Sequence, residues 1–349
     1  MKILWHLPFG GIGGTETLCT GILKHINKTD FEYFISCHHR IKEWVEKRIP
    51  RSIKVISLEG IDNIYLDAEY LAEEIWTLEP DLIIGGHGKA LGEAMEIVNM
   101  DIPVIEVTHG SHIWDEHVVN TSKKFTVHVV CVSKSAQRVY LENRNEEIPT
   151  SIIINGVDRE IFKPVNNLYL KVLGYLGRFE WHKRVDKIID AFQFTDFDNL
   201  RLIGGSKEEV LEYKEYIKSN PRKSKIQIRE FTKKPEEHFC KIGVATAHTD
   251  QEGYCNAIAE ALACGIPCVC TNFMGILEHV PDGTIAIAEN EKDYIEKLNR
   301  VCNDFELRER MRNKGLEYIS KKGDIKITAI KYNNLIKKVL HENKKRLCQ

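Results

Sequence analysis

The sequence predicts an α/β protein made of two doubly wound, Rossmann-like parallel sheets in tandem, and three observations carry that expectation. Short β-rich apolar runs alternate with longer segments of helical spacing. The strand segments are apolar on both faces, as in a sheet covered by helices on each side. The pattern runs once through the first half of the chain and then restarts. Lys2–Leu7, Tyr33–Cys37, Lys54–Ser57, Asp81–Ile84, Pro103–Thr108 and Val127–Val132 read as the strands of the first half, with Leu18–Ile26 and Leu66–Leu78 among the helices between them. Lys171–Leu176, Leu200–Ile203, Lys225–Arg229, Gly243–Ala247, Pro267–Thr271 and Thr284–Ala288 read as the strands of the second. Periodicity fails around Pro164 and Val165-Asn166-Asn167, which places a linker near residue 165. The expected domains are therefore 1–165 and 166–325. An amphipathic terminal helix from about Ile325 to Leu340 dominates the remaining segment, 326–349.

Composition narrows the classes. The chain has 349 residues, enough for two ordinary cores, and its 49 Lys and Arg nearly balance 51 Asp and Glu for a net charge of −2. Neither a disordered chain nor one whose main work is gripping nucleic-acid phosphates fits that balance. Ten cysteines are too sparse for a disulfide scaffold, and Cys131, Cys268 and Cys270 sit inside apolar runs where reduced, buried thiols are expected. With no secretion signal and no long uncharged apolar run, the expected location is cytoplasmic, with peripheral contact at an inner membrane face left open.

Three stretches carry chemistry. Gly10-Gly11-Ile12-Gly13-Gly14-Thr15-Glu16 follows the first strand and opens a helix, so backbone amides and a positive helix end meet there, a natural seat for phosphate. EGYCNAIAEALACGIP, from Glu252 to Pro267, lies between two strands of the second half, with the helix starting near Asn256. Carboxylates would repel an anion at contact, so Glu252 and Glu260 are expected to accept hydrogen bonds from neutral hydroxyls on either side of it, a sugar and a ribose. Arg178 and Lys183, in Leu176-Gly177-Arg178-Phe179-Glu180-Trp181-His182-Lys183-Arg184, stand at a strand-to-helix turn where two cations could neutralise a departing diphosphate.

In combination these motifs resemble the retaining family-four glycosyltransferases of the GT-B fold. Glu252 and Glu260 are spaced like that family's E-x7-E signature, and Ile154-Asn155-Gly156-Val157-Asp158-Arg159-Glu160-Ile161-Phe162-Lys163-Pro164 is similar to its NGVD-x-x-x-F-x-P linker. LGRFEWHKRVDKIIDAF resembles its GR-x(4)-K segment, and Gly13-Gly14-Thr15-Glu16 its N-terminal glycine motif. The likeness spans essentially the whole chain. It implies two Rossmann-like domains facing a cleft, with the C-terminal helix crossing back to the N-terminal domain.

It also implies roles. Arg178 and Lys183 would hold the donor diphosphate, with amides of Gly13, Gly14, Tyr254, Cys255 and Asn256 completing the cradle. Glu260 would take the ribose hydroxyls and Glu252 the transferred sugar, while His109 would lie beside the reacting carbon. The chemistry implied is retaining hexosyl transfer from a nucleotide-diphosphate sugar, UDP ahead of GDP, to an acceptor hydroxyl, with no cofactor, no metal and no protein nucleophile. The acceptor is open: glycan, lipid, protein, small molecule or modified nucleic acid. Lys42–Arg51 and Trp114–Lys124 are the charged and aromatic segments of the domain expected to bind it.

Other matches are weaker. Asp196-Phe197-Asp198 is formally D-x-D, but falls in a helix-to-strand loop, where a turn is expected. Cys264, Cys268 and Cys270 lack zinc spacing, as does Cys37-His38-His39. Cys255 stands where the family usually has glycine or proline, Ala245–Asp250 departs from its apolar-Pro-Ser approach, and Met274-Gly275 replaces a glycine pair before Glu278. The competing readings are a nucleotide-sugar epimerase of similar architecture and a non-catalytic nucleotide-sugar-binding module.

Overall fold

The structure, a computed structural model, describes residues 1–59, 68–86, 89–110, 124–143, 148–272 and 275–347. The chain divides into two compact units, Met1–Gly156 with Ile325–Gln349, and Val157–Asp324. The first holds strands β1 (Lys2–His6), β2 (Glu32–His38), β3 (Lys54–Leu58), β4 (Leu82–Gly86), β5 (Val104–Thr108), β6 (Thr126–Cys131) and β7 (Thr150–Ile152). They form one seven-stranded parallel sheet in the order β3-β2-β1-β4-β5-β6-β7. The second holds β8 (Val172–Leu176), β9 (Asn199–Gly205), β10 (Ile226–Glu230), β11 (Val244–Ala247), β12 (Cys268–Thr271) and β13 (Ile285–Ala288). These pair in parallel as β10-β9-β8-β11-β12-β13. Both sheets are thus doubly wound, and the strand order reverses between β1 and β4 in one and between β8 and β11 in the other. The crevice beside the carboxyl ends of such a strand pair is where open α/β sheets bind ligands.

Each sheet is covered on both faces, which is why its strands read as apolar runs. In the first unit, Leu4, Phe34, Ile83, Leu71, Ile75 and Met95 pack one face against the helices Ala68–Leu78 and Lys89–Val98. On the other face, Trp5, Ile35 and Ile84 meet the helix Gly14–His25 and the terminal helix Ile325–Leu347. That terminal helix buries Ile325, Ala329, Tyr332, Leu335, Ile336, Val339 and Leu340, a stripe of helical spacing, and packs Tyr332 against Trp5 with ring centroids 5.2 Å apart and the planes tilted by 52°. At about 1.5–3 kcal/mol for each large apolar side chain buried, the stripe suffices to hold the helix on this unit. In the second unit, Tyr175, Ile188, Phe192, Leu202, Tyr294 and Leu298 lie in the core between the sheet and its helices.

The boundary differs from the expected one. The expectation near residue 165 is corrected to Gly156/Val157, because Val157 onward is tied into the second unit. The Val157 N–H donates to the Gly323 carbonyl at 2.8 Å, Val157 bridges Asp324, and the Val165 N–H donates to the Cys264 carbonyl at 3.0 Å. On the first unit's side, a Cβ on Gly156 would lie 2.5 Å from Ile325 Cα, so no other residue lets the terminal helix start this close to the chain. The three-residue β7, which among the described residues pairs only with β6, is the strand absent from the sequence expectation. Among the described residues no helix is long and apolar enough to cross a membrane.

Candidate active site

β8 and β11 flank the point where the second sheet's order reverses, and each passes the chain to a loop bearing charged groups. After β8 the backbone turns sharply. The Gly177 N–H donates to the Ile203 carbonyl at 3.0 Å, and a Cβ on Gly204 would fall 2.0 Å from the Gly177 carbonyl oxygen, so only glycine allows the two backbones to cross here. The buried Tyr175 hydroxyl donates to the Arg178 carbonyl at 2.6 Å and fixes the next residue. A single 3-10 turn, Trp181–Lys183, then presents Lys183, and the helix Val185–Phe192 follows.

The loop after β11 is stitched to this one. Buried Thr249 donates its hydroxyl to the His182 carbonyl at 2.9 Å and its N–H to Thr271 Oγ1 at 3.0 Å, while the Asp250 N–H also reaches the His182 carbonyl, at 3.1 Å. Glu252 and Tyr254 are gripped through their carbonyls by the N–H groups of Gly275 at 3.1 Å and Ile276 at 3.0 Å. The Tyr254 hydroxyl meets that of Tyr318 at 3.1 Å inside the core. Cys255 caps the helix Asn256–Ala263 at φ 76°, ψ 73°, the left-handed region. Glycine costs least there, so the departure from the family pattern at this position is a residue held under backbone strain of about 1 kcal/mol or more. The first N–H groups of the helix lack intrahelical partners and carry its positive end.

The charged groups are already paired. Lys183 Nζ forms an ion pair with Glu252 Oε2, both side chains 18% exposed. Arg178 Nη1 lies 2.6 Å from Glu180 Oε1 and is 67% exposed, and the other oxygen of Glu180 faces His182 Nε2 at 3.5 Å. One turn into the helix, the partly covered Glu260 carboxyl is pushed up to about 8, first by desolvation and then by the charge of Glu236. Burial, with the Glu252 charge adding to it, likewise pushes the Cys255 thiol up to about 12, which keeps it a neutral, unreactive group.

Arg178, Lys183, Glu252, Tyr254, Cys255, Asn256 and Glu260 are therefore brought to one edge of one sheet. Gly13, Gly14 and His109 belong to the other unit. There the Gly13 N–H donates to buried Glu16 Oε2 at 2.8 Å, so this amide of the glycine turn is spent within the protein, and Gly14 begins the helix. His109 follows β5, its ring 3.7 Å from where a Cβ on Gly86 would sit at the end of β4. One strand further along the sheet, wholly buried His6 ends β1 opposite Gly85 of β4, with Nδ1 3.0 Å from Ser36 Oγ, and burial lowers its pKa to about 4.

The chain matches known proteins over most of its length. A family model described as glycosyl transferases group 1 matches residues 157–318, and one described as glycosyltransferase family 4 matches residues 12–161. An uncharacterised glycosyltransferase of Methanocaldococcus jannaschii is 30% identical over 351 residues, covering 92% of this chain and 94% of that one. The chain belongs to the group 1 glycosyltransferases. Solved structures agree in fold. Anabaena HepE in complex with UDP-glucose superposes on this glycosyltransferase with a TM-score of 0.80 at 18% identity, over 98% of this chain and 100% of that one. Staphylococcus aureus TarM, solved with fondaparinux, alpha-GlcNAc-glycerol and UDP, gives 0.77 at 14% identity, over 96% and 99%. The architecture of this glycosyltransferase is thus GT-B.

Sequence reasoning passes over Glu180 and Thr249. Nothing local marks Thr249, whose distant partners lie in the turn after β8 and at the end of β12, whereas Glu180, two residues from Arg178, is within reach of a charge-pair argument. Asp196 is held as structure: its N–H donates to Asn299 Oδ1 at 2.8 Å, and its carboxylate accepts from Asn303 Nδ2 at 2.6 Å. It precedes β9, at the end of the sheet away from Arg178. In Lys42–Arg51, Trp44 is buried and Arg48 stacks over its ring at 4.1 Å. Most of Trp114–Lys124, and Met274, lie outside the described residues.

Proposed function

We propose that this glycosyltransferase moves a hexosyl unit from a nucleotide-diphosphate sugar, UDP ahead of GDP, to an acceptor hydroxyl with retention of configuration and without a metal. The observation that carries the reading is the single edge between β8 and β11 that collects two cations, a helix N-terminus and two carboxylates of different character. Arg178 and Lys183 neutralise the charge that develops on the diphosphate as it leaves, with the amides at the start of the helix Asn256–Ala263 adding to them. That set of positive groups does what a divalent ion does elsewhere, which supports metal independence. Glu252 takes hydroxyls of the transferred sugar, and Glu260 takes those of the ribose. In this reading both carboxylates bind hydroxyls and neither attacks, so catalysis rests on leaving-group stabilisation and positioning.

His109 and the glycine turn at Gly14 are assigned to the same reaction on the family resemblance, His109 beside the reacting carbon. The nucleotide choice is supported by Anabaena HepE and Staphylococcus aureus TarM, whose solved complexes hold UDP-glucose and UDP. The buried free thiols Cys19, Cys37, Cys131, Cys255, Cys264, Cys268, Cys270 and Cys302 support a reducing, cytoplasmic setting.

The test is a panel of UDP- and GDP-sugars incubated with the protein, with free nucleotide measured and the sugar product followed by NMR. Nucleotide release with a retained anomer, slow to water and faster with acceptor, is expected. Sugar inversion at a ring carbon with the nucleotide still attached would make the protein an epimerase, and binding without release a non-catalytic module.

A further inference from the structure

Without a donor, both cations of the proposed cradle already hold carboxylates, and the two pairs are unlike. Glu252 has a second task, the sugar. Glu180 has no such task, yet it lies 2.6 Å from Arg178, and its other oxygen lies 3.5 Å from His182. The backbone of Arg178 is pinned by Tyr175, whereas its guanidinium is 67% exposed and able to swing. On the basis of the proposed donor site, we propose that Glu180 is a specificity-determining residue that competes with the donor diphosphate for Arg178.

The exchange balances. When phosphate oxygens take the guanidinium, Glu180 loses one cation and keeps His182, so no carboxylate is left without a neighbour of opposite or neutral character. At the second cation the same arrival frees Glu252 from Lys183, and the released carboxylate meets the sugar. A diphosphate displaces both carboxylates in one binding event. A monophosphate or inorganic phosphate that engages one cation alone leaves the other ion pair standing and meets its carboxylate as a like charge. Glu180 thereby sets a threshold that favours diphosphates over the smaller anions.

The probes are UDP, UMP and uridine, titrated calorimetrically into wild-type protein, Glu180→Gln and Arg178→Ala. Exposed ion pairs are worth about 0.2–1 kcal/mol, so Glu180→Gln is expected to tighten UDP by about 1.4- to fivefold. It should also tighten UMP and narrow the UDP-to-UMP ratio, leaving uridine unchanged. In turnover the KM for donor should fall with kcat unchanged, a split that a merely structural role for Glu180 would not produce. Unchanged uridine binding also reports that the variant is folded. If Glu180→Gln binds UDP no more tightly than wild type while Arg178→Ala binds it more weakly, the competition is refuted and the donor assignment stands. If Arg178→Ala binds UDP as wild type does, the donor assignment fails and the inference with it.

Discussion

Replacing Glu260 with Gln removes a carboxyl that burial has pushed from 4.5 to about 8, and the consequence for stability has a definite sign. In the wild type below pH 4.5 the group is neutral in both folded and unfolded chains and contributes nothing. Between 4.5 and 8 the unfolded chain releases the proton that the folded one keeps, so stability falls as pH rises, and the loss is complete above pH 8. At about 1.4 kcal/mol for each pKa unit, a sealed carboxyl would lose roughly 4–5 kcal/mol; solvent reaching the partly covered Glu260 reduces this to about 2 kcal/mol. Gln carries no charge at any pH, so Glu260→Gln should match wild type near pH 5 and exceed it near pH 9. For a unit of this size the difference is about 4–8 °C in Tm. Thermal unfolding of the two proteins by circular dichroism at both pH values measures it, and taking the difference cancels every other titrating group. A Tm difference that is the same at pH 5 and pH 9, or one that favours wild type at pH 9, would refute the burial argument.

In steady-state kinetics Glu260→Gln should mainly raise the KM for donor, because ribose hydroxyls change little as the glycosidic bond breaks, whereas Glu252→Gln should also lower kcat; the opposite pattern would reverse the two assignments. Activity should survive EDTA, and loss restored by magnesium or manganese would show that a divalent ion shares the work of neutralising the diphosphate with Arg178 and Lys183. Gly204→Ala puts a methyl group 2.0 Å from the Gly177 carbonyl and should lower both Tm and UDP affinity, since the loop carrying Arg178 must move; unchanged UDP binding by calorimetry would show that this crossing does not position the site.

Local chemistry is legible in this sequence, and pairings across long separations are not. Strands such as Val244–Ala247 and Cys268–Thr271 declare themselves because both faces are buried, leaving apolar runs bounded by turns. β7 does not, since its three half-buried residues follow Pro149 and owe their form to β6 alone. Periodicity fails at Pro164, but the unit boundary is set by Val157 pairing with Asp324, a contact that no local pattern announces. At the site, Arg178, Lys183, Glu252 and Glu260 can be named from residue type and spacing. That Lys183 closes on Glu252, and that Glu260 is buried enough to hold its proton at neutral pH, depends on which loops the sheet order brings together. Gly13 shows the limit from the other side: its amide reads as a phosphate donor, yet Glu16 takes it.

The most direct test of the central claim is the kcat/KM of Arg178→Ala/Lys183→Ala on the nucleotide sugar that the wild type consumes. Fixed electrostatic donors to a leaving group are worth roughly 3 kcal/mol each, so removing both should cut kcat/KM by at least about a thousandfold while the folded content measured by circular dichroism is kept. A folded double variant with wild-type kcat/KM would contradict the account, because the diphosphate would then have to leave from somewhere other than the edge between β8 and β11.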